Sequence, residues 1–174
     1  MMNTTTKTIV IGVAAGLFAS WIKSLAEPPL QKIGEKRFPP SPEALELKGA
    51  DVTGRPEKMP PAILAKDFYH TVTDRELSHE ETLQAMTFIH YALGAFVGIT
   101  YSYAVSKNRI FSLAGGAAAG AAVWGLTHGS VVPALGLQGK VKDMPEAWWV
   151  WEFGSHIVFG IAMEQSRRIL YRLF

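Results

Sequence analysis

The sequence predicts an all-α integral membrane protein with four transmembrane helices and a long proline-rich extramembrane loop between the first and the second. Three observations carry this expectation. Apolar runs near the roughly 20 residues that a span requires recur at about 8–26, 84–105, 110–136 and 148–166. Most charges lie outside them, between residues 30 and 83, so the mean hydropathy of +0.13 averages two unlike parts. The few ionisable residues inside the runs recur at helical spacing, as expected of spans that face a protein interior. The whole chain, 1–174, reads as a single membrane domain.

The first run, TIVIGVAAGLFASWIK, follows an early lysine and is expected to end before Pro28 and Pro29. Lys23 would reach the headgroups along its aliphatic stem. Ser24-Leu25-Ala26 resembles a signal-peptidase site, so a cleaved signal peptide competes with a retained anchor. Trp21 and Lys23 lie where a cleavage region would be bland, which favours the anchor.

Prolines at 39, 40, 42, 56, 60 and 61 break up the loop 30–83. Two short helices are expected within it, over 41–47 and 61–70. The second is amphipathic, with Ile63, Leu64 and Phe68 able to lie on a bilayer. Asp74, Ser78 and Glu81 supply start signals for the second span.

In the second span His90, Gly94 and Gly98 share one stripe. Only residues 106–109 separate it from the third, which forces antiparallel neighbours. The third is rich in Gly and Ala, with Gly116 and Gly120 four apart, and suits a buried position. The fourth, WWVWEFGSHIVFGIAMEQSRR over 148–168, places Glu152, His156, Gly160 and Glu164 on one stripe. Its tryptophans 148, 149 and 151 are expected to form an interfacial belt, and Glu164 to pair with Arg168. The small-xxx-small pairs point to tight helix packing or a homo-oligomer.

Basic residues on short loops set orientation. Lys7, Lys107, Arg109, Arg167, Arg168 and Arg172 outnumber Lys140 and Lys142, so both termini are expected in the cytoplasm. With four alternating spans, Lys23, Glu27, His90, His128, Glu152 and His156 fall at one depth, on the opposite side. Such groups are costly in hydrocarbon unless they satisfy one another. The layer has four readings: interhelical hydrogen bonding, a protonation site, a Zn²⁺ site built from His90, His128, His156 and Glu152, or bis-histidine haem. The absence of cysteine removes disulfides, thiolate metal sites and cysteine nucleophiles. No catalytic triad, phosphate loop or dinucleotide fingerprint is present, so an enzyme is not expected, and a net charge of +2 gives no footprint for nucleic acid.

Several segments together resemble the YagU family of bacterial inner-membrane proteins, which has no established biochemical activity. They are GLFASWIKSLAEPPL with the following PPSP, PPAILAKDF, the positions His128, Pro133, Gly136 and Leu137, and above all WEFGSHIVFGIAMEQSRR. The loop departs from the pattern in lacking cysteines and in carrying QKIGEKRF before its prolines. By similarity the matching polar positions are Lys23, Glu27, His128, Glu152, His156 and Glu164. The resemblance implies a multi-pass inner-membrane protein that contributes to acid resistance.

The leading expectation is a non-enzymatic envelope protein whose His/Glu/Lys cluster binds protons or a small ligand. The alternatives are an accessory subunit that docks a membrane-protein partner through its loop, and an oligomeric channel or transporter.

Overall fold

The computed structural model describes residues 3–174, and among them all regular structure is helical. Helix α1 spans Thr4–Arg37. It begins where the Asn3 side chain accepts the Thr6 backbone N–H at 2.8 Å. Contrary to the sequence expectation, it does not stop at Pro28-Pro29 but continues for two more turns, ending before Pro39 and Pro40. Tertiary partners hold this extension in place. Gly34 packs against Ala147 and Val150, and the buried Gln31 amide donates to Glu35 and Asp51, each at 2.7 Å. The Gln31 oxygen accepts from the Thr53 backbone at 3.1 Å.

The two loop helices are α2, Pro42–Leu45, capped by Ser41, and α3, Pro60–Thr73. On α3, Ala62, Ile63 and Ala65 are buried, while Leu64, Phe68 and Val72 form an exposed stripe. Helix α4, His79–Lys107, starts from a reciprocal box: Glu81 accepts from the Ser78 hydroxyl and backbone N–H, and Ser78 Oγ accepts from the Glu81 N–H.

The third apolar run departs from one continuous helix. Within the 3₁₀ stretch Arg109–Gly116 the backbone leaves helical geometry at residues 112–115, with Ala114, Gly115 and Gly116 at positive φ. Helix α5 then covers Ala117–Leu126, followed by a π-helical turn, Thr127–Val131, and the short α6, Val132–Ala134. The last run forms α7, Glu146–Trp148, a second π-helical turn, Trp149–Phe153, and α8, Gly154–Leu173. Three helical stretches are long and apolar enough to cross a membrane: Thr4–Arg37, His79–Lys107 and Arg109–Ala134.

The chain forms two compact units. The first comprises the described residues up to Ala26, with Tyr91–Val123 and Ser155–Phe174. Its helices meet through glycines: a methyl group at Gly16 would overlap the Gly94 carbonyl, one at Gly98 the Gly12 carbonyl, and one at Gly120 the His156 carbonyl. Gly116 and Gly160 close on each other in the same way. Ala15, Ala19, Tyr101, Val105, Phe159 and Met163 fill the space beside them. These small residues therefore join helices of one chain. Gly12 meets Gly98 and Gly16 meets Gly94, so α1 runs antiparallel to α4, while Tyr171 donates to Thr8 Oγ1 at 2.8 Å and Tyr101 to Glu164 at 2.9 Å, joining the end of α8 to the start of α1 and its middle to the last turns of α4.

The second unit comprises Glu27–His90 and Trp124–Gly154. Its core is Ala50, Met59, Met144, Trp148 and Trp151, with Leu30, Leu47, Met86 and Trp124 against it. The expected tryptophan belt is thus corrected. Trp148 and Trp151 are fully buried, and only Trp149 of the three is exposed, because the loop between α1 and α4 folds over them with Ala50 and Met59.

Candidate functional site

In the second unit, two stretches of helix loosen into π-helical turns, and each carries one member of a buried pair. His128 lies on the turn Thr127–Val131 and Glu152 on the turn Trp149–Phe153. Pro133, two residues after the first turn, cannot donate the N–H that an α-helix would need there. The wider turn closes instead through the Val132 N–H to the Thr127 carbonyl. Such π-turns are rare, and they occur frequently at functional sites.

His128 Nε2 lies 3.4 Å from Glu152 Oε1, the histidine side chain 14% exposed and the glutamate 1%. On the other side of the ring, Nδ1 is 2.5 Å from the Gln138 side-chain oxygen. The orientation of Gln138 follows from its other end, where Nε2 donates to the backbone carbonyls of His128 at 3.3 Å and Gly139 at 3.4 Å. The Gln138 oxygen therefore faces Nδ1 as an acceptor, and Nδ1 carries the hydrogen.

The loop holds Gln138 from behind. The Gly139 N–H donates to the Lys48 carbonyl at 3.0 Å, and Lys48 Nζ donates back to the Gly136 carbonyl at 3.0 Å. Gly49, at φ +81°, lies where a Cβ would meet Gln138 Cγ at 3.0 Å. Aromatic rings enclose the imidazole. Trp148 is 6.5 Å away between centroids, and Trp124 packs against Trp148, Trp149 and Phe153 at 5.9, 5.1 and 5.2 Å. The aromatic rings and the near-complete burial of the carboxylate keep bulk water from the pair, so its electrostatics are less screened than at the surface.

This arrangement fixes what the pair can do. With Nδ1 protonated, a neutral ring turns its Nε2 lone pair towards the carboxylate, and the two repel. One more proton between Nε2 and Oε1 turns that repulsion into a hydrogen bond, whether written as imidazolium with carboxylate or as imidazole with carboxylic acid. The same two atoms are of the kinds that Zn²⁺ accepts.

Of the other residues expected in this layer, Lys23 and His156 are buried and belong to the first unit, while Glu27 and His90 are half-buried and belong to the second. Each of these four has an interaction partner. Gln138 was not expected, for no motif marks it; the only hint is a glutamine between two turn-forming glycines in LGLQG.

A second polar cluster lies in the first unit. Glu164, fully buried, accepts from Arg167 at 2.7 and 3.0 Å, from Arg168 at 2.5 Å and from the Tyr101 hydroxyl at 2.9 Å. The expected Glu164–Arg168 pair is one part of it. Arg167 and Tyr101 are the part that helical spacing alone did not mark.

The family model described as "Protein of unknown function (DUF1440)" matches residues 30–165. Comparison with curated proteins and with solved structures returned no match.

Proposed function

The chain belongs to the DUF1440 family of proteins of unknown function, and from that premise we propose that it is a non-enzymatic, multi-pass protein of the bacterial inner membrane whose buried His128–Glu152 pair takes up and releases a proton. Three stretches long and apolar enough to cross a bilayer support the membrane setting. The fourth span is assigned to residues 148–166, and both termini to the cytoplasmic side, where short-loop basic residues concentrate. The pair then lies towards the outer face, the side that acidifies first. The YagU-like pattern of the fourth helix adds a contribution to acid resistance.

One observation carries the proton reading: His128 is gripped at Nδ1 by an acceptor of fixed orientation while Nε2 faces a buried carboxylate. A purely structural histidine needs no second acceptor of that kind. Burial makes an unshared charge there expensive, so a proton held between Nε2 and Oε1 strengthens the link between the two π-turns.

Infrared difference spectra of the protein reconstituted in lipid, taken between neutral and acidic buffer, test the reading. Glu152→Gln should remove a carboxyl band that appears or shifts on acidification, and His128→Gln should displace it. A spectrum unchanged by both substitutions rejects proton exchange at the pair.

A second reading rests on the exposed stripe Leu64, Phe68 and Val72 of α3. There the protein is an accessory subunit, and α3 docks a membrane-protein partner. Replacing Leu64, Phe68 and Val72 by polar residues and finding the co-purifying proteins unchanged would remove it.

A further inference from the structure

At the end of the first unit where α1 begins and α4 and α8 finish, a cavity of about 710 Å³ opens among Lys107, Arg109, Arg167, Arg168, Arg172 and Glu164. Five cations face one carboxylate. Both Glu164 oxygens are already taken by Arg167 and Arg168, so the acid neutralises charge within the wall and offers no free acceptor to the cavity. Lys107, Arg109 and Arg172 are exposed, and among the described residues none of the three is in an ion pair. The cavity is framed firmly. Tyr171 is bonded to Thr8 and lies under the Lys7 ammonium, 5.4 Å from the ring centroid.

Apolar side chains stand exposed next to the cationic ones along the chain: Ile110 and Phe111 after Arg109, Ile169 after Arg168, and Leu173 after Arg172. The helices α1 and α4, whose ends frame the cavity, are also long and apolar enough to cross a membrane, so an anion carried on acyl chains suits this setting better than a freely diffusing one. We propose that the cavity binds the phosphate-bearing headgroup of an acidic phospholipid, with Arg109, Lys107 and Arg172 on the phosphate oxygens. Arg167 and Arg168, held by Glu164, shape the floor. This site is separate from the His128–Glu152 pair and does not depend on its role.

Native mass spectrometry of the full chain in neutral detergent tests the assignment, with phosphatidylglycerol, phosphatidylcholine and inorganic phosphate as probes. Phosphatidylglycerol should be retained in preference to phosphatidylcholine, and the double variant Lys107→Gln/Arg109→Gln should weaken its retention on the order of thirtyfold. The charge-conserving pair Lys107→Arg/Arg109→Lys, which controls for loss of fold, should retain it. Equal retention of the two lipids, or undiminished phosphatidylglycerol binding by the glutamine variant, would overturn the proposal. Inorganic phosphate displacing the lipid at comparable concentration would overturn the lipid assignment and leave a free-phosphate site.

Discussion

The side-chain oxygen of Gln138 lies 2.5 Å from Nδ1 of His128, and the same amide is anchored by its nitrogen to the His128 and Gly139 carbonyls. One glutamine thereby fixes which imidazole nitrogen carries hydrogen and which faces Glu152. Replacing it with leucine removes the acceptor and leaves the ring without that constraint. Gln138→Leu is expected to cost about 1–3 kcal/mol of stability, as loss of a buried hydrogen-bond partner does. It should also mix the two His128 tautomers, visible as intermediate ¹⁵N shifts. A single unchanged tautomer in the variant would show that Gln138 does not set it.

The glycine contacts of the first unit make a graded prediction. Gly98→Ala and Gly160→Ala push a methyl group into a facing carbonyl and should destabilise the protein by about 1–3 kcal/mol in a reversible detergent unfolding titration. Gly125 has nothing within 4 Å of its would-be Cβ. Gly125→Ala is therefore expected to be neutral or stabilising by up to about 1 kcal/mol, since alanine is the better helix former. If all three cost the same, close helix approach is not what the glycines provide.

At the start of α4, Ser78 and Glu81 satisfy each other's backbone and side-chain groups. Ser78→Ala should lose about 0.5–2 kcal/mol. Faster hydrogen exchange confined to the first turn of α4 would accompany it, and unchanged exchange there would refute the cap.

Glu46 gives a pH dependence in the loop. Its carboxyl is held below the usual range, chiefly by the Lys58 ammonium at 2.5 Å and also by the Arg55 guanidinium. The folded value is thus the lower one. The pairing contributes fully above the ordinary glutamate value of about 4.3 and is lost as pH falls through the folded value. All three groups are at least partly exposed, so the effect is small and local. Hydrogen exchange over residues 46–58 should rise below that range in the native protein. It should change less with pH in Glu46→Gln, and an equal rise in both would contradict the assignment.

What the sequence disclosed follows from which forces act locally. Apolar runs and their helical character are set by composition and period, so the long helices, the Ser78–Glu81 start and the crowded glycines were readable from residue types alone. The continuation of α1 past Pro28 and Pro29 was not, because it depends on Gln31 and Gly34 meeting residues 51, 53, 147 and 150, far away in sequence. Trp148 and Trp151 read as a belt for the same reason, since the loop residues that bury them have no local signature. Of the site, His128 and Glu152 stood out as ionisable residues in apolar runs. Gln138 and the two π-turns did not: an uncharged amide next to a turn is common, and a π-turn leaves no periodicity to detect.

The most direct test is ¹⁵N NMR of the histidine rings in the lipid-reconstituted protein between about pH 5 and pH 8, comparing native protein with Glu152→Gln. If the pair exchanges a proton, the His128 Nε2 signal should move across that interval while Nδ1 stays protonated, and Glu152→Gln should displace the transition. A His128 ring that holds one state throughout, in both proteins, would contradict the proposal and leave the pair as a fixed contact between two π-turns.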